Sequence, residues 1–179
     1  MRNFDFTKYN RIILVGCMGS GKSYLAKQIA EKNYYPLYHL DIEHWKPDWV
    51  MASNEEKIVR QQEIINGEKW IIDGTYGSTM ELRFAAADLV IYLDINRLLC
   101  IWSAIKRTGK KRSDLPEYLE EPPIFSKGFF KFCQWIWIWQ KNNKKRIIDL
   151  HEKYPEKEFL HIKSRRAVNR ILNGQLNKT

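Results

Sequence analysis

The stretch Arg11-Ile12-Ile13-Leu14-Val15-Gly16-Cys17-Met18-Gly19-Ser20-Gly21-Lys22-Ser23 decides the reading of this chain. It opens as an apolar run, the mark of a buried strand. It closes as G-x4-G-K-S, and the residues behind it, Tyr24-Leu25-Ala26-Lys27-Gln28-Ile29-Ala30, have helix-forming composition. A strand, a glycine-rich turn and a helix in that order aim the amides of the turn at one point, at the positive end of a helix dipole. Glycines let the backbone approach an anion, Lys22 adds a point charge for the outer phosphates, and Ser23 offers a hydroxyl to Mg2+. The expectation is a site for ATP with Mg2+, lined by Gly16, Cys17, Met18, Gly19, Ser20, Gly21, Lys22, Ser23 and Tyr24. Lys22 is expected to face solvent when no ligand is present.

Apolar strand-like runs recur at Ile12 to Val15, Leu37 to Leu40, Trp70 to Ile72, Leu89 to Leu93 and Phe159 to Ile162. Between them lie helix-forming stretches at 22–32, 54–66, 96–108, 128–151 and 165–173, with a short one at 78–86. Alternation of this kind predicts an α/β three-layer sandwich, a five-stranded parallel sheet with helices on both faces. Near-continuous apolarity fits strands buried on both sides. The stretch 109–127, with Gly109, Pro116, Pro122 and Pro123, reads as a short lid or loop.

A chain of 179 residues, 44% apolar, fits one domain, taken as 1–179. There is no apolar run long enough for a membrane span and no apolar core near Met1 of the kind a secretory signal needs. Three widely spaced cysteines, Cys17, Cys100 and Cys133, fit free thiols in a reducing cytoplasm. Cys17 lies inside the loop, where a lowered pKa is one reading and a small filler the other. The net charge of +9 suits polyphosphate ligands or nucleic acid. No helix-turn-helix, zinc-finger or ribonucleoprotein motif accompanies it, so nucleic acid is the less favoured partner. A guanine-recognition signature is absent too, which argues against a GTPase switch.

In open parallel sheets, ligands sit beyond the carboxyl ends of the strands. That rule singles out His39, Asp41, His44 and Trp45 after the second run, Asp73-Gly74-Thr75-Tyr76 after the third, Asp94 after the fourth, and Lys163, Ser164 and Arg165 after the fifth. Asp41 and Asp73 fall where Mg2+ would be held; Mg2+ takes oxygen ligands and needs only one or two carboxylates. Asp41 has the rival reading of a helix N-cap. Asp73, a buried acid, needs some partner in any case. Arg165 is assigned to the nucleotide. His39, His44, Trp45, Trp49 and Tyr76 are expected to face an acceptor pocket, although packing alone would account for Trp45 and Trp49. In Phe129 to Trp139, the residues Phe132, Trp135, Ile136 and Trp139 define one helical face, and Trp137 and Ile138 make the helix apolar nearly all round. Core packing is the base case for it and a dimer contact the alternative, which leaves monomer or homodimer open.

Taken together, these stretches resemble the P-loop nucleotide kinase-like proteins known as DNA topology modulation proteins (FlaR-type), relatives of adenylate and shikimate kinases. The resemblance runs through Gly16 to Ser23, His39-Leu40-Asp41 with Trp45 and Trp49, Trp70 to Tyr76 with Arg83, Ile91 to Asp94, Arg107, and Trp135-Ile136-Trp137. It implies a P-loop NTPase fold and transfer of the ATP γ-phosphate to a small-molecule phosphate acceptor, a nucleoside monophosphate before a shikimate-like hydroxylated acid. It implies that Asp41 contacts the acceptor or metal-bound water, that Asp73 lies near the magnesium, and that Arg83 grips the acceptor phosphate. The rival for Arg83 is a salt bridge to Asp88 or Glu81. It further implies that Arg107 and Arg112, with Lys110 and Lys111, form an arginine-rich lid over the triphosphate, for which an exposed basic loop is the rival. The family name adds an alternative, a nucleotide-binding regulator acting on DNA.

Overall fold

The computed structural model describes residues 4–46, 50–107 and 127–176. The chain runs β1 (Arg11–Gly16), α1 (Lys22–Asn33), β2 (Leu37–His39), α2 (Leu40–His44), β3 (Trp45–Lys46), β4 (Val50–Met51), α3 (Asn54–Ile65), β5 (Trp70–Asp73), α4 (Met80–Ala86), β6 (Leu89–Leu93), α5 (Arg97–Arg107), α6 (Lys127–Lys153), β7 (Glu158–Ile162) and α7 (Arg165–Leu176). Five strands form a parallel sheet in the order β2-β5-β1-β6-β7. Every residue of β5 and β6 is buried, so side chains pointing to either face are covered. The edge strands β2 and β7 are only half-buried. This is the three-layer arrangement that the alternating pattern predicts.

Local signals explain several boundaries. Helix α3 begins at a capping box: the Ser53 side chain accepts from Glu56 N–H, and the Glu56 carboxylate accepts from Ser53 N–H at 2.8 Å. The second strand stops at His39, one residue earlier than expected, because Leu40 turns inward as the first residue of α2 and is fully buried. The small antiparallel pair β3–β4 has two residues per strand, too few to leave a periodic signal.

Helix α6 departs from expectation. Its buried residues are Phe129, Ile136, Trp139, Ile147 and Leu150, whereas Phe130, Trp135, Trp137 and Ile138 are exposed. Of the face drawn through Phe132, Trp135, Ile136 and Trp139, Ile136 and Trp139 are buried as expected, Trp135 is exposed, and the side chain of Phe132 lies outside the described residues. Polar residues on the inner side hid the true stripe: Gln140 donates to the Ile95 carbonyl at 2.6 Å, and Asn143 to the Trp139 carbonyl at 3.1 Å. The Arg97 guanidinium lies 4.0 Å over the exposed Trp137 ring. Among the described residues, no helix is long and apolar enough to cross a membrane.

Candidate phosphotransfer site

Strand β1 delivers the chain to the glycine-rich turn, and α1 leaves it at Lys22. Gly19 has φ +73°, and a Cβ there would lie 2.4 Å from the Cys100 carbonyl oxygen, so only glycine fits between turn and α5. Gly21, at φ +98°, is the N-cap of α1 and makes no side-chain hydrogen bond to its first turn. Those amides have no side-chain cap and are free to meet an anion. The entry to the turn is clasped by Thr75, whose hydroxyl accepts from Gly16 N–H at 3.0 Å and donates to the Gly16 carbonyl at 2.7 Å. From sequence Thr75 stands only among the residues that follow the third apolar run, with no role given to it; its signal is its place two residues after Asp73, at the end of a strand adjoining β1.

Lys22 does not stand free in solvent as expected. It is half-buried and donates to the Cys17 carbonyl at 3.0 Å, because a lysine at this position curls back over the turn. Cys17 is buried, and its thiol is pushed up by hydrogen bonding with Cys100 and then by burial, so the reading of a lowered pKa is overturned. Arg165 spends its Nη2 on protein: it donates to the Leu99 carbonyl at 2.9 Å, to the Gly19 carbonyl at 3.3 Å, and to the Ser103 hydroxyl. These bonds make Arg165 a strut beneath the loop.

Sheet register brings β2 and β5 together with His39 opposite Asp73. The His39 Nδ1 lies 3.0 Å from Asp73 Oδ2, while Asp73 Oδ1 is buried without a partner. Burial would raise the Asp73 carboxyl. The His39 bond, the Lys22 charge and the Ser23 hydroxyl outweigh it and hold the group below its ordinary value. An ionised carboxylate with one unspent oxygen, next to a hydroxyl at a helix start, fits the oxygen-donor set of Mg2+. Among the described residues, no three His, Cys, Asp or Glu side chains converge, so such an ion would draw its other ligands from phosphate and water.

Asp41 lies inside the first turn of α2, which removes the N-cap reading, and its carboxylate accepts from the Tyr76 hydroxyl at 2.7 Å. Beneath Tyr76 is a buried polar cluster. Arg83 Nη2 donates to the Tyr76 carbonyl at 3.2 Å and Nη1 to Gln61 Oε1 at 3.1 Å; Gln61 Nε2 reaches the Thr79 hydroxyl at 2.7 Å and His44 Nε2 at 3.0 Å. Arg83 is fully buried, its Nε has no partner, and burial drops its pKa to about 9. Neither rival partner is used: Asp88 accepts from Asn10 and Arg11 N–H at 3.0 and 2.9 Å, and Glu81 pairs with Lys153. His44 is fully buried, edge-on against the Tyr76 ring, and so, contrary to expectation, does not face an open acceptor pocket. Burial, then the Arg83 and Lys57 charges, bring its pKa to about 4, so it is neutral. The cluster holds the Tyr76 backbone, and Tyr76 holds Asp41.

Other expectations fall elsewhere. Asp94 is occupied by Lys144 at 2.7 Å and His161 at 3.1 Å. Arg146, on α6, comes to Gly77, beside Tyr76; a Cβ at Gly77 would lie 3.3 Å from its Nη1. Trp49, Arg112 and all of the 109–127 lid except its last residue lie outside the described residues, as do the side chains of Trp45 and Arg107.

No protein-family model and no curated protein matches the sequence. Solved structures match its shape. The fold is similar to that of a shikimate kinase from Acinetobacter baumannii in complex with shikimate, at 16% identity and TM-score 0.59, over 97% of each chain. It is similar to a shikimate kinase from Bacteroides thetaiotaomicron, at 15% identity and TM-score 0.60, over 94% of this chain and 97% of that one. It also resembles a gluconokinase from Sinorhizobium meliloti, at 13% identity and TM-score 0.56, over 94% and 90%. At such identities the likeness is one of fold, and the fold is that of the P-loop kinases.

Proposed function

We propose that this chain is an ATP-dependent phosphotransferase that moves the γ-phosphoryl group to a small molecule in the presence of Mg2+. The observation that carries the reading is convergence. The uncapped turn, the Lys22 ammonium, the Ser23 hydroxyl and the half-satisfied Asp73 carboxylate meet at the ends of β1 and β5, one strand away from the Asp41–Tyr76 pair. The turn amides and Lys22 bind the polyphosphate, and Ser23 with Asp73 would hold the metal, which neutralises phosphate charge when bound. Asp41 orients the acceptor hydroxyl and accepts its proton as the new P–O bond forms and the bond to the ADP oxygen breaks. Phosphoryl transfer asks little covalent chemistry of the protein, so positioning and charge carry the catalysis. Arg107 and Arg112 belong to this reading as lid cations over the triphosphate.

For the acceptor we favour two classes in competition. A nucleoside monophosphate draws on the motif resemblance through Arg83, Arg107 and Arg112. A hydroxylated acid draws on the burial of Arg83, which sits under Tyr76 and not at the pocket surface, and on the shikimate kinase and gluconokinase shapes. The resemblance to FlaR-type proteins is a reason to include duplex DNA among the ligands tried. The test is ADP production by purified protein with ATP, Mg2+ and a panel of nucleoside monophosphates, nucleosides, sugar acids and hydroxylated carboxylic acids, with phosphorylated product identified by mass. ATP binding without any phosphorylated acceptor across the panel would remove the proposal. Salt-insensitive, tight binding of duplex DNA would point to the regulator instead.

A further inference from the structure

Helices α5 and α6 carry an outer surface that the fold does not use. The inner side of α5 is spent on Cys100 and Ala104, both fully buried, with the Cys100 carbonyl closing on Gly19. The outer side carries Leu98, Trp102 and Ile105 at i, i+4 and i+7; Leu98 is 62% exposed and Trp102 47%. On α6, Phe130 and Trp137 lie seven residues apart on one outward stripe and are 62% and 47% exposed. The Arg97 guanidinium, 4.0 Å over the Trp137 ring, joins the two stripes, and the bond from Gln140 to the Ile95 carbonyl holds α6 against the start of α5. Single exposed apolar side chains are ordinary. Two aligned stripes on adjoining helices mark a surface that meets something.

The charge on these helices selects the occupant. Neither 97–107 nor 127–148 contains an aspartate or a glutamate. Lys144 and Lys145 pair with Asp94 and Asp149, but among the described residues Arg97, Lys106, Lys131 and Lys141 meet no carboxylate. Lys106 instead lies 3.7 Å over the Trp102 ring. A cationic face without acids repels a second copy of itself, which argues against self-association. Single-stranded nucleic acid would match the charge and stack on the rings, but it offers nothing for Leu98, Leu99, Ile105 and Ile138 to enter. An acidic bilayer surface matches every part. Aliphatic side chains enter the acyl boundary, tryptophans settle at the headgroup level, and lysine and arginine meet the lipid anions.

We propose that the outer face of α5 and the N-terminal half of α6 is a docking surface for the anionic face of a phospholipid bilayer. Leu98, Trp102, Ile105, Phe130 and Trp137 enter the interface, and Arg97, Lys106, Lys131 and Lys141 hold its charge. Among the described residues no helix is long and apolar enough to cross a bilayer, so the chain lies on the surface. None of these side chains has a part in phosphoryl transfer, and the inference stands or falls apart from that reading.

The experiment sediments the full chain with vesicles of equal parts phosphatidylcholine and phosphatidylserine, and with vesicles of phosphatidylcholine alone. The chain should pellet with the acidic vesicles and bind the neutral ones about tenfold more weakly or worse. Lipids brominated along the acyl chains should quench its tryptophan fluorescence. Each cation near such a surface is worth about fivefold in binding, so Lys131→Ala combined with Lys141→Ala should lower it roughly 25-fold. Leu98→Ser combined with Trp102→Ser, with folding checked by circular dichroism, should lower it about tenfold or more. A chain left in the supernatant with acidic vesicles, equal binding to both compositions, or native binding by the Leu98 and Trp102 variant would each overturn the proposal. So would a concentration-dependent dimer abolished by that variant, which assigns the surface to a second copy. A single-stranded oligonucleotide that binds through the same residues more tightly than the acidic vesicles would overturn it in favour of nucleic acid.

Discussion

Thr75→Val tests how the phosphate-binding turn is held. The hydroxyl makes two buried bonds to one residue, Gly16, at 3.0 and 2.7 Å. Valine preserves the branched shape and removes both, leaving a buried N–H and a buried C=O without this partner. Each such orphan costs about 1–3 kcal/mol, so the substitution should cost roughly 2–6 kcal/mol of folding free energy. At about 2–4 °C per kcal/mol for a domain of this size, Tm falls by roughly 4–24 °C. Thr75→Ser keeps the hydroxyl and should stay within about 1 kcal/mol of the native chain. Urea unfolding gives the stability, and calorimetric titration with an ATP analogue gives the affinity, which should fall with it because Gly16 opens the turn. Native stability and native affinity in Thr75→Val would refute the clasp.

Lys22→Ala should abolish turnover and change stability by no more than about 1 kcal/mol, since the lysine makes one partly buried bond; retained activity would contradict its role. Arg83→Met removes a buried cation that has no carboxylate partner among the described residues, so stability should hold within about 2 kcal/mol while turnover drops; a collapse of folding would show that its bonds to Gln61 and Tyr76 are structural first. His44 has its folded pKa depressed from 6.5 to about 4, so the unfolded chain binds the extra proton between those values. Stability present above pH 6.5 is therefore lost on acidification towards pH 4, by up to about 3 kcal/mol, and His44→Gln should flatten that slope in unfolding curves. Tyr34 caps α1 at φ 55°, a left-handed position; Tyr34→Gly should stabilise by about 0.5–1 kcal/mol, and a loss in thermal melts would contradict the assignment.

The sheet was legible because all five strands carry near-continuous apolar runs, and the turn because glycine, lysine and serine have fixed jobs at fixed spacing. Asp41, Asp73 and Tyr76 were picked out by one rule, that ligands lie past the strand ends, and the structure joins Tyr76 to Asp41 and His39 to Asp73. What sequence could not supply was where long side chains go. Arg83 and Arg165 look alike in a string of letters, yet one is buried beneath Tyr76 and the other braces the turn. The inner face of α6 was drawn in part: Ile136 and Trp139 are buried and Trp135 is not, and further along the stripe is broken by Gln140 and Asn143, whose amides are satisfied by carbonyls and so can sit where apolar residues are expected. The same rule reached Thr75 but not its role, since a hydroxyl that bonds backbone 59 residues away is a product of strand adjacency.

The Arg165 strut has a consequence for the order in which the molecule matures. Chains emerge from the ribosome N-terminal end first, so the glycine-rich turn is made before α7. Its brace arrives only with Arg165 at the start of α7, in sequence after the edge strand β7. A nascent chain thus carries the turn before it carries the support, and the turn stays unbraced until α7 has been made.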